Sequence, residues 1–153
     1  MRRDGGDLQV LGEEDCRNLL AAAHVGRVVV SMDAMPAAFP VNYVLVGREV
    51  YFRTSTGTKL SAAVNGTVVA FQVDRIDSLG SEGWSVLVIG RARLVTDPAE
   101  QALLDRVGLT SWAAPADAGY VAIGTDRVTG RRLWQARHDI EPAATAEFSA
   151  KEQ

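Results

Sequence analysis

Apolar residues first recur with a helical period at Cys16, Leu19, Leu20 and Ala23, which fall at i, i+3, i+4 and i+7 and predict a helix over 13–23. Glu13, Glu14 and Asp15 suit its positive amino end, and Gly26 follows where a helix can stop. The period then changes to that of strands. RVVVS predicts one over 27–31, closed by turn-like residues 32–36; AFPVNYVLV predicts another over 38–46, turning at 47–49 into a third over 50–54. Pro40 cannot donate to a ladder, so its place must be a sheet edge, a strand start or a bulge. A small-residue loop at 55–58 leads to a short helix over 59–64, with Thr58 as cap and Asn65-Gly66 as its end. Strands follow over 67–73 and 84–95, separated by a polar loop at 77–83. Val86, Leu87, Val88 and Ile89 are apolar without alternation, which predicts burial on both faces and, in so small a chain, a partner subunit over the second. Asp97, Pro98 and Glu100 read as cap, first helical residue and returning carboxylate of a capping box, with Leu103, Leu104 and Val107 as the apolar face. Residues 110–119 look irregular, anchored by Trp112, and 120–123 with 131–135 read as a closing hairpin.

About six strands with two or three short helices, and no regular alternation of the two, predict a mainly β fold: an antiparallel sheet or barrel. The glycine fingerprint of a Rossmann site and the Walker sequence are absent from the chain. At 153 residues the chain suits one domain with a real core, which we place at 11–140, with 1–10 as a flexible terminus and 141–153 as a loose tail. A net charge of -3 supplies no positive field for a polyanion, so nucleic acid is not expected as a partner. One cysteine and two histidines, His24 and His138, allow no internal disulfide and too few ligands for a Cys/His metal site. The polar start and the lack of an eighteen-residue apolar run predict a soluble, cytoplasmic protein with no membrane partner.

Chemistry concentrates in one segment. Arg53, Thr54, Ser55, Thr56, Gly57, Thr58 and Lys59 bring a guanidinium, an ammonium, four hydroxyls and an open glycine backbone to the start of a helix. A phosphate dianion needs such a set, with Arg53 forking onto two oxygens and Ser55 or Thr58 donating hydroxyl hydrogens. An ordinary polar strand-to-helix turn has the same composition, and both readings stay open at this level. Phe39, Pro40, Val41, Asn42 and Tyr43 form a second candidate, because a proline-marked edge leaves main-chain groups free for a flat heterocycle. Trp84 and Ser85 open a strand where an aromatic residue could cover a ligand or an interface. Arg131 and Arg132 must point to opposite faces of a strand, so only one of them can face a site. Cys16 lies on an apolar stripe, where a thiol is buried and inert. No nucleophile elbow, triad or paired carboxylate emerges, and the catalytic residues are unknown.

Taken in order from Leu19 to Leu133, the motifs VGRV, PVNY, YFRTSTGTKL, VAFQVD, GWSVLVIGRARLV and VTGRRL resemble those of the pyridoxamine 5'-phosphate oxidase-like flavoproteins, especially the small nitroimidazole-reductase-like branch. The resemblance implies a six-stranded antiparallel split barrel that works as a homodimer, with FMN at the interface. It also implies that Arg53, Thr54, Ser55 and Lys59 hold the flavin phosphate and that Pro40, Val41, Asn42 and Tyr43 run along the isoalloxazine. Trp84, Ser85 and Arg131 would come from the neighbouring subunit. The implied activity is hydride transfer between small-molecule donor and acceptor through the flavin, with a deazaflavin cofactor or a non-catalytic flavin-sequestering role as alternatives. Arg53 stands where nitroimidazole-reductase relatives tend to carry histidine, and His138 follows Arg137 outside the oxidase context, so neither nitro reduction nor vitamin B6 oxidation is implied.

Overall fold

The period-two runs close on themselves. In the computed structural model, which describes residues 7–112, 115 and 118–134, the elements are β1 (Asp7–Leu11), α1 (Glu13–Ala22), β2 (Val25–Met32), β3 (Met35–Val46), β4 (Glu49–Thr54), α2 (Lys59–Val64), β5 (Val68–Ile76), β6 (Glu82–Leu94), α3 (Pro98–Val107), β7 (Gly119–Gly124) and β8 (Arg127–Trp134). Strands run β1-β8-β6-β5-β2-β3-β4-β7, and a further β6–β7 pairing closes the last six into an antiparallel barrel. β1 falls inside the stretch read as a flexible terminus, and pairs with β8 from Asp7↔Trp134 to Leu11↔Gly130. Its period is hard to see because it is an edge strand of five residues with few core contacts to pattern it. The proposed tail at 141–153, and His138, lie outside the described residues.

Side chains alternate as strands require. Val28, Val30, Val50, Phe52, Val69, Phe71, Val73, Val88, Val121 and Ile123 fill the barrel and are buried, with Leu20 of α1 and Val64 of α2 plugging it. Tyr51, Tyr120 and Ala122 on the opposite faces of β4 and β7 are also buried, under Leu104 of α3 and Val95. Double burial therefore belongs to β4 and β7. On β6 the alternation is clean instead: Val86 and Val88 point inward, while Leu87 remains 36% exposed and Ile89 is half-buried.

The expected closing hairpin is not one. β7 and β8 do not pair with each other; both lie antiparallel to the same edge of β6, with Ala92↔Ile123 and Leu94↔Val121 on one side of a break and Ile89↔Arg127 and Ser85↔Arg131 on the other. The residue sum of each pair rises by one across the break, so the β7–β8 strand holds one extra residue, a β-bulge. Sequence patterning alone cannot separate a tight turn from a bulge at a polar, Gly-containing stretch. Before the bulge the chain's outer edge pairs with β4 and closes the barrel; after it, with β1. Thr125 pins the kink. Its N–H and hydroxyl donate to the Arg48 carbonyl at 3.1 and 2.7 Å, and Arg17 of α1 donates to its Oγ1 and carbonyl at 2.7 and 3.1 Å. Opposite the bulge, a Cβ at Gly90 would fall on the Gly124 carbonyl. α1 approaches β8 the same way, through Cys16, whose Sγ lies 2.6 Å from where a Gly130 Cβ would stand. The thiol is buried, as its apolar stripe predicted, and burial raises its pKa.

α3 is tied to the barrel by polar side chains. Asp97 Oδ1 accepts from the Ala99 N–H at 3.0 Å as the cap, but Glu100 does not return to complete a capping box. It accepts from Arg93 at 2.8 and 2.7 Å and from the Tyr51 hydroxyl at 2.8 Å, while Tyr120 donates to Asp105 at 2.6 Å. Arg93, and then Tyr51, hold the Glu100 carboxyl below the usual carboxylate range. A depressed folded-state pKa gives stability that is complete above about pH 4.3, the ordinary glutamate value, and is lost as pH falls through the lower, folded value. Glu100→Gln should therefore lower the melting temperature most at pH 7, with the gap to the parent closing toward pH 3; a gap constant across that range would remove the tether from the account.

Candidate functional site

β3 and β4 separate after the pair Tyr43↔Phe52. Beyond it β3 keeps only β2 as partner, from Asn42 back to Met35, while Arg53 and Thr54 of β4 pair with Tyr120 and Gly119 of β7. The wedge between them is a groove of about 280 Å³, lined by Phe39, Pro40, Val41, Asn42, Arg53, Thr54, Ser55, Thr58, Leu60, Ser111 and Trp112. Two segments distant in sequence, each singled out on chemical grounds, thus form its opposite walls.

Pro40 stands where the edge argument requires, on the half of β3 that lacks a second strand. Tyr43 donates its N–H across to the His24 carbonyl on the β2 side at 3.0 Å. Main-chain groups alternate between edges along an antiparallel strand, so the N–H of Asn42 and the C=O of Pro40 face the open edge. Asn42 Oδ1 is buried there with no hydrogen-bond partner among the described residues, an arrangement that costs free energy until a donor arrives. It does not satisfy a turn of its own. Tyr43, one residue on, points the other way: it is 3% exposed, meets Phe71 edge to face at 4.9 Å and donates to the Leu20 carbonyl at 2.5 Å. Its side chain belongs to the core, where burial raises its pKa.

On the facing wall, the Arg53 guanidinium lies 5.3 Å from the centre of the Tyr120 ring and donates to the carbonyls of Ala118 at 3.0 Å and Pro115 at 3.5 Å. It is thereby oriented along the groove rather than left to solvent. Thr58 caps α2, accepting from the Ser61 N–H at 3.1 Å and donating to the Ser55 carbonyl at 3.0 Å, so its hydroxyl hydrogen is engaged and Ser55 is the better donor toward a ligand. Lys59 does not share the groove. It opens α2 and lines a neighbouring recess with Ser31, Met32 and Asp33, because a helix that starts at residue 59 turns that side chain away from the strand it follows.

The remaining predicted residues lie elsewhere in the chain. Ser85 and Arg131 face each other across β6 and β8, on the outer surface of the sheet. Trp84 is on the opposite face of β6, in a recess with Arg75, Ile76, Asp77 and Arg132. Within one chain none of the three reaches the groove. Sequence reasoning missed Leu60 and Ser111 as lining groups and took Trp112 for an anchor. Among the described residues no group of three or more His, Cys, Asp or Glu side chains could hold a metal ion, and no helix is long and apolar enough to cross a membrane.

Known proteins share this architecture. The family described as pyridoxamine 5'-phosphate oxidase matches residues 12–132. The Mycobacterium tuberculosis protein Rv0080 is 39% identical over 128 residues, covering 80% of this chain and 84% of its own. The structure of an FAD binding protein from Mycobacterium smegmatis aligns with a TM-score of 0.70 at 37% identity, over 82% of this chain and 97% of that one. An FAD-binding protein from Mesorhizobium loti, 24% identical, shares the fold with a TM-score of 0.69 over 86% of this chain and 100% of its own. The closed barrel, with its ladder continued past the bulge into β8 and β1, is the split-barrel fold that the six sequence motifs implied, and the chain belongs to the pyridoxamine 5'-phosphate oxidase family.

Proposed function

We propose that this chain is a flavin-dependent oxidoreductase that binds FMN in the groove between β3 and β4 and passes hydride to a small acceptor. The observation that carries the reading is the edge of β3: the Pro40 carbonyl, the Asn42 main-chain amide and the unpartnered Asn42 Oδ1 together offer alternating acceptors and donors to a flat heterocycle that has carbonyl and N–H groups of its own. A group of that kind fits the wall. Arg53 and the Ser55 hydroxyl would hold its phosphate at the other, and Phe39, Val41 and Leu60 would keep water from the ring. A bound flavin supplies the two-electron chemistry, leaving binding, orientation and electrostatics to these residues. That the Mycobacterium smegmatis relative is an FAD binding protein supports a flavin here as well.

The proposal extends to a homodimer. Leu8, Val10, Leu87 and Leu133 are exposed side by side on the outer sheet surface, with Val10 at 77%, and Ser85 and Arg131 lie among them. Covering this face with a second copy would give Leu87 and Ile89 the burial their sequence implies, and would offer Ser85 and Arg131, though not the inward-facing Trp84, to the partner's groove. The test is to purify the protein without added cofactor, record its visible spectrum and elution volume, and titrate FMN, FAD and a deazaflavin into the colourless fraction. Paired flavin bands or saturable FMN uptake by a dimer is the expected result. A single shorter-wavelength band would replace FMN by deazaflavin, tighter uptake of FAD would replace it by the dinucleotide, and a monomer indifferent to all three would end the reading.

A further inference from the structure

Trp112 looks from sequence like the anchor of an irregular stretch, yet its side chain is 67% exposed. An indole is a large apolar group that ordinarily gains stability by burial, so an anchoring role does not account for its place. Its surroundings do. It lines the groove together with Phe39, Pro40, Asn42 and Arg53. Two fixed points carry it there. On one side α3 ends at Gly108, in the left-handed region at φ 71°, with its N–H on the Leu104 carbonyl, and Leu109 packs into the cluster of Leu104, Tyr51 and Tyr120. On the other, Arg53 grips the carbonyls of Pro115 and Ala118. Ser111 and Trp112 are thus carried to the groove, where the indole adds an electron-rich aromatic group to a lining that is apolar at Phe39, Val41 and Leu60.

We propose that Trp112 is a ligand-binding residue whose indole closes the groove over the flat ring of the bound flavin. This rests on the flavin reading above and adds to it a residue that neither the phosphate wall nor the edge of β3 requires. The contact is of the aromatic stacking kind, and its loss should weaken binding roughly three- to tenfold, in line with the strength of aromatic pairs. A stacked indole also quenches flavin emission by electron transfer to the excited ring, which gives a readout independent of turnover.

The experiment titrates FMN and FAD into the full-length protein, Trp112→Leu, Trp112→Phe and Trp134→Leu, following flavin fluorescence, with thermal unfolding run on each. Trp112 is exposed, so its variants should melt with the parent. The expected result is dim bound flavin in the parent and Trp134→Leu, and brighter, more weakly bound flavin in Trp112→Leu, with Trp112→Phe keeping most of the affinity but less of the quenching. Equal affinity and equal quenching in the parent and Trp112→Leu would overturn the inference while leaving the flavin site intact. A parent that takes up no flavin would overturn the flavin reading, and this inference with it.

Discussion

Replacing Gly90 by alanine is expected to unfold the barrel under conditions where the parent is stable. The added methyl would occupy the place of the Gly124 carbonyl, and neither backbone can yield. Gly90 is paired with Val69 of β5, and Gly124 with Glu49 of β4. Overpacking a side chain into a core costs typically 1–3 kcal/mol; forcing backbone against backbone at the seam of a closed sheet should cost about 3 kcal/mol or more, a large part of the total for a domain of this size. Gly12 makes the control, since nothing lies within 4 Å of its Cβ position and its φ is -70°. Alanine there should cost about 1 kcal/mol or less, the difference between glycine and alanine at a helix cap. Chemical denaturation of both variants reads the contrast, and a Gly90→Ala protein as stable as Gly12→Ala would mean that β6 and the bulge do not cross so closely.

Arg53→Ala should weaken FMN binding roughly ten- to a hundredfold, the equivalent of one lost charge-assisted contact of about 1.5–3 kcal/mol. The same side chain lies on the Tyr120 ring and grips the Pro115 and Ala118 carbonyls, so the loss combines a missing phosphate partner with a loosened groove wall. Arg53→Lys separates the two. A lysine restores the charge but cannot fork onto two oxygens or spread over an aromatic ring as a planar guanidinium does, and should recover only part of the affinity. Lys59→Ala should cost less than Arg53→Ala, because the Lys59 side chain starts from the adjoining recess and would have to swing across α2's first turn to reach the groove. Isothermal titration of all three variants gives the ranking, and unchanged affinity in Arg53→Ala would remove the phosphate from this wall.

The elements that were legible in the sequence are those whose signal is local. The cap at Asp97, the cap at Thr58 and the strands β2 to β6 depend on residues a few positions apart, and each forms where the pattern places it. Pro40 could be placed on an edge because a missing N–H is a property of one residue. What could not be read depends on partners far along the chain. Whether β7 turns back on β8 or continues beside β6 is decided by the space at Gly90 and by the hold of Arg17 and Arg48 on Thr125, contacts separated by 77 and 108 positions. The site divides in the same way. Its two walls were visible as composition, but the absence of Lys59 from one of them, and the presence of Trp112 at the mouth, follow from where α2 and α3 begin and end.

The bulge bears on how the length of this chain can vary. The turn from β5 to β6 at 77–81 projects from the end of the sheet and could gain or lose residues without disturbing either strand's facing. Between Ile123 and Arg127, by contrast, four steps on this strand match three on β6, from Ala92 to Ile89. Pairing those steps one for one at full length would shift all that follows by one position, with Arg131 opposite Trp84 on the inner face and Arg132 opposite Gly83 on the outer one, whereas deleting one residue would take out the bulge and leave Arg131 opposite Ser85. The one bulged residue therefore selects which of two adjacent arginines faces outward, a choice that no substitution at either arginine could make.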